Sequence, residues 1–158
     1  MYSFYIDGED IKKFVNLLLK ENTFDKFEIR NCEISTFVNF EIDCKLNKDY
    51  LELFQEEEEI KREFCLWKEL RPKIYEIIKG KIKPSKMKFV FSASESFTKK
   101  FHENAKALFL NILFDNNKIL VVTGTSQTYF SLDNSLEILW ENKIKSFFKS
   151  LEITQNVN

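Results

Sequence analysis

Histidine is almost missing from this 158-residue sequence, which holds His102 alone. A single histidine excludes the common multi-histidine zinc sites. With no cysteine near it in sequence, a Cys-His catalytic pair would require folding to bring in a distant thiol. Cysteine is scarce as well: Cys32, Cys44 and Cys65 are odd in number, widely spaced and without a CxxC pair. That is the usage of a reduced, cytoplasmic chain, and packing is the role expected of Cys44 on the apolar side of a strand and of Cys65 within a helix. No apolar run reaches membrane-spanning length, and residues 1–14 lack the basic, apolar and small-residue succession of a secretory leader, so a cytosolic protein without a membrane partner is expected. An excess of one charge is missing too. Lys+Arg of 24 against Asp+Glu of 25 gives a net charge of -1, which excludes a global attraction for nucleic acid and leaves only local patches. Glycine and proline number 3 and 2, and the one glycine-centred stretch that invites a phosphate-loop reading, Thr123-Gly124-Thr125-Ser126-Gln127-Thr128, lacks the GxxxxGK[ST] spacing and a following helix. It is expected to be a loop connecting strands.

Hydrophobic residues make up 44% of the chain and 17 of them are Phe, enough for one well-packed domain. The Phe, Lys, Asn and Ile bias points to an AT-rich genome. Residues 107–132 supply the centre of the fold. Asp115-Asn116-Asn117-Lys118 breaks two apolar runs, because Asn tolerates the positive φ of a tight hairpin turn. Pairing outward sets Phe114 opposite Ile119, Leu113 opposite Leu120, Ile112 opposite Val121 and Asn111 opposite Val122. Both faces of this hairpin are largely apolar, which predicts cover on both sides.

Along the chain, residues 2–6 read as a strand and a helix follows to about Lys20, with Ile11, Phe14, Val15 and Leu18 on one face. Strands are predicted at 24–30 and 33–46 with a turn at Asn31-Cys32, the second alternating from Ile34 to Leu46. A helical pattern begins near Tyr50. Its acidic run, Glu56 to Glu59, suits a solvated helix start, and consecutive helical residues fan out too widely to gather a metal. Pro72 is expected to end or kink that helix and to start another over 73–79, closed by Gly80. A strand at 87–91 and a helix capped by Ser92 to Ser94 precede the hairpin, with Phe97 and Phe101 facing inward. A short strand at 128–132 follows. The last helix, 134–151, opens on a capping box of Asn134 and Glu137, and residues 152–158 are expected to fray.

The one concentrated basic segment, 79–88, carries Lys79, Lys81, Lys83, Lys86 and Lys88 and no acid. With Lys12, Lys13, Lys99 and Lys100 it supplies the candidate contacts to nucleic acid. Two parts of the chain, 1–46 and 87–132, share the order strand, helix, strand, strand, and GEDIKKF at 8–14 echoes SESFTKKF at 94–101. The layout resembles the half-domain of DNA sliding clamps, whose basic helices face the duplex, and implies that role for the two lysine pairs. The wording of FDKFEI (24–29), STFVNFEIDCKL (35–46), LWKELRPKIYEIIKGKIKP (66–84) and LVVTGTSQTYFSLD (120–133) resembles a family of small Firmicutes proteins sharing a domain of unknown function.

These observations predict an α+β domain over 1–158, an antiparallel sheet of two strand-helix-strand-strand units with a helical insert at 50–79. No convergent acid-base or metal set stands out, so a non-catalytic binding module is expected, without cofactor, with nucleic acid or a protein as partner. The alternatives are an enzyme assembled from distant residues such as His102, Cys65, Asp133 or the 56–59 acids, and a partner module using an exposed apolar patch signalled by Trp67, Trp140 or Phe37.

Overall fold

The computed structural model describes residues 1–53 and 61–157. In chain order the elements are β1 (Ser3–Ile6), α1 (Glu9–Leu19), β2 (Glu28–Ser35), β3 (Asn39–Asp43), α2 (Lys48–Glu52), β4 (Cys65–Leu66), α3 (Trp67–Ile78), β5 (Lys86–Ser92), α4 (Glu95–Phe101), β6 (Ala105–Asp115), β7 (Lys118–Gln127) and α5 (Ser135–Ser150). The strands form one antiparallel sheet in the order β1-β7-β6-β5-β2-β3, with β4 paired to β2, so the fold is α+β as expected. No helix among the described residues is long and apolar enough to cross a membrane.

The β6–β7 hairpin pairs in the expected register, Phe114 with Ile119 and Ile112 with Val121. Asn116 and Asn117 take φ of 50° and 61° at its two-residue turn, as a primed hairpin turn requires. One sheet face carries Phe4, Ile6, Ile34, Phe89, Phe91, Leu110, Ile112 and Val121, all buried. Helices α1, α3 and α5 cover it through Phe14, Trp67 and Phe148: Phe148 meets Phe4 and Phe14 at 4.9 and 5.8 Å, and Trp67 meets Phe89 and Phe91 at 5.5 and 5.2 Å between ring centroids. The phenylalanine excess thus forms the layer between sheet and helices. The opposite face of the hairpin, with Phe109, Leu113, Leu120 and Val122, is only half-buried. The expected cover exists on one side alone, as antiparallel sheets commonly allow.

Other expectations need correction. The turn after β2 lies at residues 36–38 and not at Asn31-Cys32, which sit inside the strand. Even-numbered residues pair with even-numbered ones across it, Ile34 with Phe40 and Cys32 with Ile42, so the alternation passes through the turn unbroken and cannot locate it. Residues 123–127 extend β7 instead of forming a loop, consistent with the strand preference of threonine, and 128–132 form no strand. Cys65 is in β4, and the chain there is extended: Cys65 N–H donates to Cys44 O and Trp67 N–H to Phe27 O, each at 2.9 Å. Helix α3 runs unbroken through Pro72. Pro72, the sixth residue of α3, lacks the N–H that would bond Lys68 O and its ring crowds that carbonyl, while the Glu69 carboxylate accepts from Leu66 N–H at 2.9 Å and fixes the helix start. The acids at 56–59 lie outside the described residues.

At α5, Asn134 occupies the N-cap position without a side-chain bond. Asp133 accepts from Ser135 N–H instead, and Glu137 lies against the Met1 amino group. The tail does not fray. Ile153 is buried, and Asn156 exchanges two backbone hydrogen bonds with Tyr5 at the edge of β1. The two strand-helix-strand-strand stretches are wired differently. β5 pairs with β6, the next strand of its own unit, whereas β1 pairs with β7 and never meets β2.

Candidate functional site

The nine candidate lysines fall into three groups. Lys12 and Lys13 are on α1, where Lys13 Nζ reaches Glu152 O at 3.1 Å. Lys79, Lys81 and Lys83 lead into β5, which carries Lys86 and Lys88, and Lys79 is tied to Glu76 at 2.8 Å. Lys99 and Lys100 are on α4 beyond the other end of β5, with Lys99 tied to Glu95 at 2.8 Å. Lys86 and Lys88 are on the open face of the sheet, opposite the one that α1 covers, and Lys88 lies about 13 Å along the strand from the end that leads to α4.

Two irregularities in the sheet bring different residues together. Ile29 pairs with Phe91 and Asn31 with Val90, so Arg30 is an extra residue in β2. Ala105 pairs with Gln127 and Ala107 with Ser126, so Lys106 is an extra residue in β6. Each is a β-bulge, a device that re-aims one side chain out of the strand's alternation. Both bulged residues line the same cleft of about 600 Å³ at the α4 end of the open face, together with Glu28, Arg62, Thr98 and Ser126.

Arg30 is held firmly. Its Cζ lies 4.4 Å from the Phe64 ring centroid and 4.9 Å from that of Phe109, and its Nε donates to Ser92 Oγ at 3.1 Å. Two aromatic rings within cation–π distance and the bond to Ser92 hold the guanidinium, and its outer nitrogens make no hydrogen bond among the described residues. Arg62 differs: its Nη2 donates to both Glu69 oxygens at 2.7 and 2.9 Å, while its Nε is buried with no acceptor among the described residues. Lys99 and Glu95 neutralise each other, as do Lys45 and Glu63. Arg30 and Lys106 have no carboxylate partner within ion-pair distance among the described residues, so the cleft favours an anion.

Glu28 is 7% exposed, and its carboxylate accepts no hydrogen bond among the described residues. Burial pushes its carboxyl above the ordinary range; Arg30 and Arg62 pull it down, and Glu95 and Glu63 add to the rise. The folded state therefore favours the protonated form. Its contribution to stability is whole below the unfolded carboxylate value of about 4.3 and is lost as pH rises through the raised folded value. Glu28→Gln keeps the shape without the charge. It is expected to raise the thermal midpoint by a few degrees at pH 7.5 and to give no advantage at pH 4. Melting curves at both pH values check this, and a lower midpoint for E28Q at pH 7.5 would mean that the two arginines hold the carboxylate favourably.

Lys99 is the one candidate lysine that lines the cleft; among the other described candidates, His102, Cys65 and Asp133 do not line it. His102 and Asp133 do meet through Ser135. Asn104 N–H donates to His102 Nδ1 at 3.0 Å, so the ring proton is on Nε2, which faces Ser135 Oγ at 3.0 Å, and Ser135 Oγ donates to Asp133 Oδ2 at 3.0 Å. The imidazole thus presents a donor to the hydroxyl and cannot take its proton, the reverse of a nucleophilic triad. This chain of bonds ties α4 to the start of α5. Burial pushes the Cys44 thiol up to about 12 and that of Cys65 to about 11, which keeps both un-ionised at neutral pH. Among the described residues no group of acids, histidines and cysteines could hold a metal ion.

Of the patch markers, Trp67 and Trp140 are buried and Phe37 is 91% exposed at the β2–β3 turn. Tyr129, Phe130 and Leu132 are also exposed, on a backbone that two amide side chains hold. Asn104 bonds both the N–H and C=O of Tyr129, and Gln127 bonds both of those groups on Ser131.

A family of unknown function (DUF5721) matches residues 17–156. The chain belongs to that family. The DUF5721 match takes in both bulges and every residue of the cleft, and leaves out β1 and most of α1. No curated protein and no solved structure matches the chain.

The signal for the first bulge is present in the sequence. Apolar positions are odd-numbered at Phe27 and Ile29 and even-numbered at Cys32 and Ile34. A change of parity is equally the mark of a turn, which is the expectation it raised. For Lys106 the sign is fainter, the adjacent buried pair Ala107 and Leu108.

Proposed function

We propose that this protein is a non-catalytic, cytoplasmic binding module that holds a small phosphate-bearing ligand in the cleft between the two bulges. One observation carries the reading: the extra residue of each bulge is basic, and both line one cleft without a carboxylate partner among the described residues. A bulge costs sheet pairing, and two of them spent on delivering unpaired cations to one place favour an anion as the occupant. Thr98 and Ser126 add hydroxyls to the wall. A duplex held by all nine lysines would have to reach three separated groups at once, so a single phosphate group is favoured over a polynucleotide.

The test is an amide NMR titration with inorganic phosphate and with adenosine monophosphate, repeated on Arg30→Ala and Lys106→Ala. Charge-assisted hydrogen bonds of about 1.5–3 kcal/mol predict at least a tenfold loss of affinity for R30A, and less for K106A because Lys106 is exposed. Arg30→Lys keeps the charge without the flat, forked guanidinium and is expected to fall between. Unchanged affinity in both alanine variants overturns the reading. So does an oligonucleotide titration whose shifts gather at Lys81 and Lys83 while the cleft stays silent, an outcome that would restore the lysine segment.

A further inference from the structure

A second cavity, of about 520 Å³, lies on the helical side, between α5 and the segments that flank β2 and α4. Its floor is apolar. Trp140, Ile144 and Phe147 fall at helical spacing on α5, and Phe27, Ala93 and Phe97 face them. The walls are set by ring contacts: Phe97 stacks on Phe101 at 5.6 Å, Phe101 meets Trp140 edge-on at 5.7 Å, and Phe27 approaches Phe147 at 6.2 Å. Trp140 and Ile144 are buried at its base, and Trp140 Nε1 donates to Phe109 O at 2.9 Å, so no polar group of the indole is free. Phe97 remains 39% exposed, although the sequence pattern faces it inward.

The polar rim is one-sided in charge. Among the described residues Lys26 and Lys143 are its only charged ones, both exposed and neither paired with a carboxylate; the remaining polar side chains are hydroxyls. An apolar floor excludes a bare ion, and two unpaired ammonium groups above it select against neutral and cationic apolar molecules. The size is that of a site for one small ligand. We infer that this groove binds a single-chain amphiphile with an anionic head, an alkyl carboxylate, its chain along Phe27, Phe97 and Phe147 and its head between Lys26 and Lys143. This site shares only Ala93 with the cleft between the bulges, and the two can be tested separately.

The experiment is a titration of the full chain with sodium decanoate below its micelle concentration, followed by amide NMR and by Trp140 emission, with decanol and decyltrimethylammonium as neutral and cationic controls. Shifts are expected at Phe27, Ala93, Phe97, Ile144 and Phe147. Decanoate is expected to bind at least tenfold more tightly than either control. Lys26→Glu with Lys143→Glu changes only exposed side chains; it is expected to abolish that preference and to leave decanol binding unchanged. Equal binding of the three probes reduces the groove to a nonspecific apolar patch and overturns the inference. Shifts centred elsewhere, or a double variant that retains the preference for decanoate, overturn it too.

Discussion

Trp67→Ala is expected to destabilise the protein by about 5 kcal/mol, enough to unfold many domains of this size at room temperature. Trp67 is wholly buried at the first residue of α3. Its ring sits edge-on against Phe89 and Phe91, and its Nε1 donates to Leu18 O, the carbonyl of a helix-end residue in α1, at 2.9 Å. One side chain therefore joins two helices to the central strand β5. Truncation removes the packing, worth about 3–5 kcal/mol for a buried aromatic, and strands a buried carbonyl at about 1–3 kcal/mol more. The terms overlap, so the sum is an upper bound. Trp67→Phe separates them: it keeps most of the volume and loses the hydrogen bond, and about 1–3 kcal/mol is expected. Urea unfolding with an unchanged slope checks both. A W67A loss under about 1 kcal/mol would mean that α3 is not packed against β5 as described.

The same contacts show which parts of the fold the sequence exposes. The β6–β7 turn is legible because a two-residue loop needs positive φ, and Asn116-Asn117 announces it. The turn at 36–38 is hidden because pairing there preserves parity, and the exposed Phe37 in the polar row is the one local sign of it. Pro72 does not end the helix, which continues to Ile78, and the helix start is set by Glu69 and Leu66, an acid-to-backbone bond that no hydrophobic period reveals. The candidate site is the least legible part. Arg30 and Lys106 are ordinary basic residues in strands until the partner strands are known, because a bulge is a property of the pairing and not of either strand alone. The lysine-rich segment draws attention by density, yet the cations without partners at the cleft are single residues far apart in sequence.

Alkaline pH is expected to weaken the fold steeply, through thiols that neutral conditions leave silent. Burial pushes Cys44 up to about 12, Cys65 to about 11 and Cys32 higher still, with the nearby Cys65 charge adding to the rise at Cys44. An unfolded thiol ionises near 8.5. The folded state thus holds these protons more tightly than the unfolded one, so the stabilisation is complete below about pH 8.5 and drains away as pH climbs toward the folded values. At pH 10 each fully protonated thiol has forfeited about 2 kcal/mol, and Cys32 and Cys44, both buried, together account for about 4 kcal/mol of a total that is seldom above 15. Urea unfolding at pH 7.5 and pH 10 measures the drop. Lysines and tyrosines also titrate in this range, and the comparison with Cys32→Ala plus Cys44→Ala removes them. That variant starts from lower stability because it opens two small cavities, but its loss between the two pH values is expected to be smaller by about 4 kcal/mol. An identical pH dependence in the two proteins would mean that the thiols can ionise in place, and that the core beside β2 and β3 admits water.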